Sequence, residues 1–389
     1  MQAHPDAETM PAVEPSDPAG PAESADPTGG RADPAEGRRR RPRSGRPGSH
    51  PATIGQVATR AGVSIATVSR VLTNRKPVRP ETRRRVLEAA GELDYVPSGP
   101  ARALAGSPTG MLGLLMTDLT QPFYTELAHA IESEAQARGY TLILANGAGD
   151  SGREAAYLDL LAQRRVDGIL VASRGVTTRH IDWLRRAPVE VVLVTCEAPG
   201  IPLPAIVADS RDGAALAADH VLGLGHRRIG EIVGPAASAS SPERHAGVLE
   251  ALARAGIRER DLAVEACDGD VAGGRVAAEA LLARSPSPTA ILCYNDLVAV
   301  GALHAIAAAG LSCPGDVSVV GFDDIPIASM VSPALTTVAQ AVGEMARWSV
   351  DRITTQIAAN RGEGAVEPPE VVRKSCRLVV RGSTAAPPA

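Results

Sequence analysis

Two short runs of apolar residues at helical spacing lie on either side of Gly62. In the first run the apolar residues recur at i, i+3, i+4 and i+7, which predicts an amphipathic helix. They are Ile54, Val57, Ala58 and Ala61. Thr53 and Gln56 have the spacing of a capping box at the start of this helix. Gly62 supplies a turn and Ser64 a cap for the next helix, so the pattern predicts two helices joined tightly.

The second predicted helix buries one face and presents a polar one. Its inward positions are Val68, Val71 and Leu72, and its outward positions are Ala66, Thr67, Ser69, Arg70 and Asn74. Short hydrogen-bonding side chains around one arginine suit phosphate contacts and one bidentate base contact, as in a DNA-binding helix-turn-helix. Ile65 is ambiguous, because its i to i+3 spacing with Val68 would equally place it in the core.

A third helix is predicted from Pro80 onward and completes a small core. Its buried stripe would consist of Val86, Leu87, Ala90 and Leu93, and its exposed side would carry Arg83, Arg84 and Arg85. Three such helices make a complete domain of modest stability. From the periodicity alone, a small helical bundle with a solvated charged face stays open as the alternative.

Basic charge is concentrated where these helices lie. The formal net charge of the whole chain is -4. Residues 1–36 hold eight acids and one Arg, residues 38–46 hold six Arg, and residues 53–106 hold nine Lys or Arg against four acids. A basic segment within an otherwise acidic chain favours a nucleic-acid partner for the helical unit.

Residues 1–51 are rich in Pro, Ala, Gly, Ser and acidic residues and poor in large apolar ones. Such a composition buries too little surface to offset chain entropy, so we predict a disordered tail. Its Arg-rich stretch at 38–46 would add non-specific attraction to phosphates. The alternative is a solubilising linker without a dedicated partner.

No apolar stretch has the pattern of a signal peptide or the length of a membrane span. We therefore expect a soluble, cytoplasmic chain with no membrane partner. The five cysteines are widely spaced and show no paired ligand spacing. We expect neither a disulfide framework nor a metal site, and no pattern indicates a cofactor.

Beyond residue 110, short β-branched apolar runs alternate with longer amphipathic stretches. The predicted strands are 111–116, 141–146, 168–173, 189–195, 229–234, 290–294 and 317–321, and the predicted helices are 124–138, 152–165, 213–224, 243–255, 274–283 and 297–309. Strict alternation implies parallel sheets with helices on both faces, and the length exceeds one comfortable core. We expect two doubly wound α/β lobes, with a ligand cleft between them at the carboxyl ends of strands.

Polar and aromatic residues follow three of the predicted strands. They are Gln121, Phe123 and Tyr124, then Asn295 and Asp296, then Phe322, Asp323 and Asp324. A cleft that binds a small polar ligand needs such a mixture, and Tyr294 adds a further ring. For Phe322 and Asp296 a packing or helix-capping role is an equal alternative, and for Asp323 both ligand contact and a structural role are open.

Together these features resemble the lac repressor family of bacterial transcription regulators. The resemblance runs from Thr53 to about Thr384 and rests on co-linear motifs at 53–72, 103–105, 121–124, 166–168, 224–229, 234–235, Arg244 with Gly247, 295–296, 314–324 and 333–337. It implies a periplasmic-binding-protein-like core of two doubly wound parallel-sheet lobes with an N-terminal all-α domain. The implied boundaries are 52–97 for the helix-turn-helix, 98–109 for a hinge helix and linker, and 110–384 for the effector-binding and dimerisation domain.

The resemblance implies a homodimer on a pseudo-palindromic operator in double-stranded DNA. Arg70 should read one base per half-site, whereas Ile65 and Ala66 hold the positions that vary with operator sequence. A hinge helix at 98–106 should fold on DNA and place Leu104 between base steps in the minor groove. The complete expected DNA-binding set is Thr53, Ser64, Ile65, Ala66, Thr67, Ser69, Arg70, Arg102 and Leu104.

The resemblance also implies an effector site in the cleft. The expected contacts are Phe123, Tyr124, Arg244, Asn295 and Asp323, with Ser240 as a weaker candidate. Arg244 and Asp323 would offer a donor fork and an acceptor, suited to the hydroxyls of a sugar or nucleoside. Effector binding would alter lobe closure and hence the hinge helices. The implied function is a regulator, commonly a repressor, controlled by a small polar effector such as a carbohydrate.

Several positions depart from the family pattern. Arg79 stands where a serine usually caps the third helix, and Thr73 replaces a frequent asparagine. Gly99 and Pro100 enter the hinge, where longer residues are common. Val271 lies where many relatives have an aromatic residue that stacks on the ligand, which puts a ring-stacked pose in doubt.

Two other classes of protein fit less of the chain. A solute-binding protein shares the two-lobed fold but would need an export signal and would lack residues 53–104. An enzyme would use Asp323, Asp296, His226 and His304 as acid–base groups, yet no nucleophile elbow, metal spacing or phosphate loop accompanies them. We therefore expect that the chain is not an enzyme.

Overall fold

The structure, a computed structural model, describes residues 52–73, 77–95, 108–365 and 367–388. The predicted tail at 1–51 lies outside the described residues, as does most of the predicted hinge with Arg102 and Leu104. Asn74, Gly99 and Pro100 also lie outside them. The predictions made for these parts stay predictions.

The N-terminal unit has the three predicted helices. Helices α1, α2 and α3 span Ile54–Ala61, Ile65–Thr73 and Pro80–Glu92. The capping box of α1 is present, since Gln56 N donates to Thr53 Oγ1 at 3.3 Å and Thr53 N donates to Gln56 Oε1 at 2.7 Å. Gly62 ends α1 with φ 63°, a left-handed conformation that a Cβ atom disfavours. No side chain caps α3 at Arg79.

The predicted buried stripe of α3 is wrong at Leu87. This side chain is 48% exposed, whereas Ala89 is 3% exposed and takes its place in the core. The residues that share the inward face are Val86, Ala89, Ala90 and Leu93. They have the i, i+3, i+4, i+7 spacing of one helix face, and Leu87 lies about 100° away from it. Ile65 is also on the outside, at 55% exposed.

The first lobe is built on a six-stranded parallel sheet. Strands β1 to β5 span Met111–Met116, Thr141–Asn146, Gly168–Ala172, Glu190–Val194 and Ala205–Ala208, and β11 spans Val371–Lys374. The strand order is β11-β5-β4-β3-β1-β2. Helices α4 (Pro122–Ala137) and α12 (Val342–Asn360) cover one face, and α5 (Ser151–Gln163) and α6 (Thr178–Leu184) cover the other.

Alternate residues of β1 face these two helical layers. Leu114 and Met116 pack against α4 and α12, and Leu115 packs against α5 and α6. Because both faces are covered, the strand has to be apolar along its whole length. This explains the continuous apolar run that identifies β1 in the sequence.

The second lobe has a four-stranded parallel sheet. Strands β6 to β9 span Ile229–Val233, Ala263–Ala266, Ala290–Cys293 and Ser318–Val320, in the order β7-β6-β8-β9. Helices α7 (Ser210–Gly223) and α8 (Ser240–Arg254) cover one face, and α9 (Val271–Leu282) and α10 (Asp296–Ala308) cover the other. A short helix, α11, spans Ile327–Met330. Strands β10 (Thr337–Ala339) and β12 (Arg377–Val379) form a separate antiparallel pair.

The expected two-lobed α/β architecture is confirmed, but several elements escaped the sequence patterns. The missed elements are α6, α11, α12, β5, β7, β10, β11 and β12. All of the missed strands have only three or four residues, too few to show a clear periodicity. Strands β8 and β9 are equally short but lie within the apolar runs 290–294 and 317–321, which identified them. The antiparallel pairing of β10 with β12 also departs from strict parallel alternation. It forms where the chain returns between the lobes.

Three described segments carry the chain between the two lobes. They follow β5 at residue 209, β10 at residues 340–341 and β11 at residues 375–376. Consequently α12 and β11 belong to the first lobe although they follow the second lobe in sequence. Relative movement of the lobes has to bend all three segments together.

Candidate functional site

Seven of the nine predicted DNA-binding residues lie in the described part of the chain, all within the helix-turn-helix. Thr53, Ser64, Ile65, Ala66 and Arg70 are exposed. Thr67 and Ser69 are half-buried. Ser64 caps α2 as predicted, because its Oγ accepts from Thr67 N at 3.2 Å and lies 2.9 Å from Thr67 Oγ1. The exposed face of α2 thus combines small side chains with one arginine, which is the chemistry that a major-groove surface needs.

Arg85 holds the turn between the two helices, a role that the sequence pattern did not reveal. Its Nη2 donates to the carbonyl oxygens of Ala61 and Gly62, at the end of α1. A cation there interacts favourably with the partial negative charge of the helix C-terminus and satisfies carbonyls that have no intrahelical partner. The third helix therefore fixes the angle at which α2 leaves α1.

The second candidate site is a cleft between the lobes with a volume of about 310 Å³. The six predicted effector residues all line it: Phe123, Tyr124, Ser240, Arg244, Asn295 and Asp323. Phe123 and Tyr124 begin α4 and pack edge to face, with ring centroids 5.3 Å apart. Burial raises the pKa of Tyr124, so its hydroxyl stays protonated and can donate a hydrogen bond.

Arg244 is the centre of the cleft. Its guanidinium lies 3.6 Å from the centroid of the Phe322 ring and 4.9 Å from that of Tyr294. Nη2 donates to Asp323 Oδ1 at 3.3 Å, Nη1 donates to Tyr294 O, and the Arg244 and Asp323 side chains are only 10% and 11% exposed. Nε has no hydrogen-bond partner among the described residues. This unsatisfied buried donor adds to the cost of burying the guanidinium.

Asp323 accepts hydrogen bonds from two sides. Besides Arg244, Gln340 Nε2 donates to its Oδ1 at 2.7 Å. Burial raises the pKa of Asp323, while Arg244 and Gln340 oppose the shift. The carboxyl is therefore held in place by donors yet costly to desolvate. This combination favours a ligand hydroxyl that donates to it.

Asn295 is already engaged by its own lobe. Its Oδ1 caps α10 by accepting from Val298 N at 2.8 Å, and its Nδ2 donates to Gly269 O at 3.0 Å. It retains one N–H and one lone pair for a ligand. Phe322 is 2% exposed and packs beneath Arg244, which agrees with the packing alternative. Asp296 is fully buried and is not part of the cleft wall.

The sequence missed several cleft residues. They are Arg174, Thr195, Glu197, Ser238, Gln340 and Arg373. Tyr294 was recognised as an aromatic residue at a strand end, and its hydroxyl lies 2.8 Å from Ser238 Oγ and 3.2 Å from Ser240 Oγ. Val271 begins α9 and does not line the cleft, so the ring on this wall comes from Tyr294. Thr195 and Gln340 directly follow strands, and Arg174 and Glu197 come within three residues of a strand end. For these residues a position just after a strand is the signal that the sequence offers.

A backbone contact joins the two lobes at the edge of the cleft. Ala239 N, from the second lobe, donates to Arg174 O, from the first, at 2.8 Å. Arg174 Nη2 also lies 3.7 Å from Asp118 Oδ2 within the first lobe. A change in lobe separation would break the backbone bond, so the state of the cleft and the relative position of the lobes are linked.

In the described part of the chain no group of His, Cys, Asp and Glu is arranged to hold a metal ion. The helices that were described include none with the length and apolarity to cross a membrane.

Removal of the Arg85 guanidinium should weaken the helix-turn-helix. We expect Arg85→Ala to lower the free energy of unfolding of the three-helix unit by about 1 kcal/mol, because two carbonyls at the end of α1 lose their donor. Arg84→Ala is the matched control, since Arg84 is 67% exposed and pairs with Glu88 on its own helix. Amide exchange in α1 and α2 measures the effect, and equal exchange in both variants would contradict it.

Burial of Asp296 should make stability depend on pH. Burial first, and Asp323 second, raises the pKa of Asp296 from 3.8 to about 8. A carboxyl with a raised pKa stabilises the fold fully below its unfolded pKa, and this contribution is lost as pH rises through the folded pKa. Relative to wild type, Asp296→Asn should therefore become more stable between these two values, by at most about 1.4 kcal/mol per pH unit. Urea unfolding across this range tests the slope; a pH-independent difference would refute it.

Comparisons with known proteins agree with this geometry. Residues 109–378 match the family model described as periplasmic binding proteins and sugar binding domain of LacI family, and residues 53–98 match that of bacterial regulatory proteins, lacI family. The HTH-type transcriptional repressor PurR of Photobacterium profundum is 34% identical, and the match covers 84% of this chain and 99% of PurR.

Solved structures are similar over the same extent. The lac repressor dimer bound to operator and the anti-inducer ONPF is 30% identical with a TM-score of 0.74, and the match covers 87% of this chain and 100% of that chain. The transcriptional regulator CelR–cellobiose complex is 29% identical with a TM-score of 0.65, over 85% of this chain and 99% of that one. These relatives are transcription regulators, not enzymes. With both family models matched in sequence order, the chain belongs to the LacI family of DNA-binding transcription regulators.

Proposed function

We propose that this LacI-family regulator is a cytoplasmic, homodimeric repressor whose affinity for a pseudo-palindromic operator is set by a small polar effector, a carbohydrate or related metabolite. The observation that carries the proposal is the Arg244–Asp323 pair, buried between two lobes in a chain that also has a helix-turn-helix. One site reads DNA and the other senses the effector.

The exposed face of α2 supports the DNA-binding half of the proposal. Arg70 is exposed on α2, and its fork suits a guanine edge in the major groove. Thr67 and Ser69 would contact phosphates, and Ile65 with Ala66 would meet a thymine methyl group rather than form a bidentate hydrogen bond. Thr53 at the start of α1 would contact the DNA backbone.

The DNA-binding part of the proposal also involves the predicted hinge helix, whose residues lie outside the described part of the chain. Leu104 would insert between base steps of the minor groove at the centre of the operator, with Arg102 beside it near the phosphates. Such a wedge bends the DNA and lets two half-sites be held at once. The helix-turn-helix alone would then bind more weakly than the full chain.

The cleft favours an uncharged ligand with several hydroxyls. Its charged side chains of both signs are largely paired within the protein, as in the ion pairs of Arg373 with Glu197 and Arg211 with Glu243. Its remaining groups are hydroxyls, amides and the rings of Phe123, Tyr124 and Tyr294. Rings pack on the apolar face of a sugar, and amides and carboxylates meet its hydroxyls. The CelR relative, a complex with cellobiose, supports a carbohydrate.

A homodimer is supported by the edge of the first sheet. Strand β2 is an edge strand, and Leu144 on it is 42% exposed. An exposed apolar side chain on an unpaired edge is a contact surface that a second copy would cover. The lac repressor relative was solved as a dimer on its operator. A dimer would bring two helix-turn-helix units to two half-sites.

Selection of operator DNA tests the first half of the proposal. Full-length protein is incubated at fixed salt with a library of short genomic duplexes, in parallel with Arg70→Ala and Leu104→Ala. We expect one pseudo-palindrome, with Arg70→Ala weakening its binding by about 5- to 150-fold, the value of one bidentate base contact. Leu104→Ala should also weaken it, because the bent complex is lost.

Arg84→Ala is the control for loss of charge, since Arg84 lies on the exposed side of α3 and pairs with Glu88. It should reduce binding to all duplexes slightly and leave the selected sequence unchanged. Uniform, salt-sensitive binding that none of the three substitutions alters would mean that the Arg-rich stretch at 38–46 is the sole DNA contact. Operator reading by α2 would then be rejected.

Thermal unfolding with candidate effectors tests the second half. The panel holds monosaccharides, disaccharides including cellobiose, and nucleosides. A true effector at about 100 times its Kd should stabilise wild type by about 2.7 kcal/mol, and Asp323→Ala should abolish the shift. Asp268→Ala is the control for loss of a carboxylate from the cleft. Because Asp268 lines the cleft but is exposed, this variant should keep most of the shift. If nucleosides alone raise the melting temperature, the carbohydrate assignment is wrong; if no compound does, the effector class is wrong.

A further inference from the structure

Asp296 is a buried carboxyl that the cleft itself does not use. It is 0% exposed and begins α10 directly after the cleft residue Asn295. Its Oδ2 accepts from Ile325 N at 2.9 Å, and its Oδ1 accepts from the hydroxyl of Thr337. Its own backbone N–H donates to Phe322 O at 2.8 Å. One residue thus ties the start of α10 to two other segments.

The first of these segments has a strained backbone. Asp323 and Asp324 follow one another with φ of 113° and 58°, in the region that side chains other than glycine disfavour. A residue with this backbone conformation persists only where its surroundings impose it. Asp323 N donates to Val338 O at 2.8 Å, and Asp324 pairs with Arg381 at 2.6 Å. The Ile325 N–H bound by Asp296 fixes the far end of this turn.

The second segment is β10, on which Thr337 lies. Three residues later Gln340 enters the cleft and donates to Asp323, and the chain then crosses to the first lobe. The packing around the carboxyl is close, since a Cβ on Gly321 would lie 2.2 Å from Asp296 Oδ1. The position therefore admits only a glycine beside the carboxyl.

We propose that Asp296 is a positioning residue of the effector cleft: its carboxyl holds the turn that carries Asp323 and the strand that carries Gln340 in register with Asn295. The role assigned to these three residues rests on the proposed function of the cleft. The claim that Asp296 holds the turn and the strand does not rest on it, because this claim concerns only the two hydrogen bonds that the Asp296 carboxyl accepts. Asp296 acts through its neighbours and does not contact a ligand.

Hydrogen exchange on the full-length protein tests this role without any effector. Asp296→Ala removes both acceptors, and we expect amide exchange at 321–326 and 336–341 to accelerate by about 10-fold or more, with strand β6 unchanged. Asp296→Asn should stay within about 3-fold of wild type, because Oδ1 of the amide can accept from Ile325 N and Nδ2 can donate to Thr337 Oγ1. Rescue by the amide distinguishes positioning from a need for charge.

Asp270→Ala is the matched control. Asp270 caps the neighbouring helix α9 by accepting from Gly273 N at 2.7 Å, but it is exposed and does not touch the turn. It should accelerate exchange at the start of α9 alone. If Asp296→Ala does not fold, Thr337→Val replaces it, since this substitution keeps the shape and removes only the hydroxyl donor.

The proposal is overturned by unchanged exchange at 321–326 and 336–341 in the folded Asp296→Ala or Thr337→Val protein. It is also overturned if Asp296→Ala accelerates exchange evenly through the second lobe, or if Asp296→Asn behaves like Asp296→Ala. None of these results depends on a bound sugar. A cleft that binds no panel compound would reject the effector class and leave the exchange result to decide the role of Asp296.

Discussion

The desolvated contact between Arg244 and Asp323 is the interaction on which the cleft depends. A guanidinium and a carboxylate with about a tenth of their side chains exposed can persist only if other groups compensate for the lost water. The structure supplies them as the Phe322 and Tyr294 rings beside the cation and Gln340 beside the anion. Because each compensating group lies on a different segment, the pair also determines how those segments meet.

The same constraint explains why the unusual backbone lies at this place. Asp323 contacts Arg244 from a turn with positive φ, and such a turn has to be held from outside. Asp296, Val338 and Arg381 hold it with a carboxyl, a carbonyl and a guanidinium. The polar groups of the second lobe are therefore arranged in two layers, one facing the cleft and one supporting it. Both layers meet at residues 340–341, where the chain crosses between the lobes.

In the helix-turn-helix, too, residues outside the binding surface hold that surface in place. Its core is formed by small aliphatic side chains, and the angle between α1 and α2 is held by the Gly62 turn and by Arg85 from α3. The exposed face of α2 then contributes little to the packing of the unit. Substitution of Ile65, Ala66 or Arg70 should therefore leave the fold intact, since these residues are exposed and contribute little to its core.

Sequence patterns correctly predicted the three helices of the N-terminal unit, the capping box and seven strands of the two large sheets. They also pointed to the cleft residues Phe123, Tyr124, Ser240, Arg244, Asn295 and Asp323. Local periodicity and the residues that follow apolar strands were sufficient, with the family resemblance supplying Ser240 and Arg244. The return of α12 and β11 to the first lobe, and the pairing of β10 with β12, became visible only in three dimensions. Only the tertiary structure placed Leu87 outside and assigned Arg85 and Asp296 their contacts. Those features depend on residues far apart in the chain, and a local pattern carries no information about which distant groups will meet.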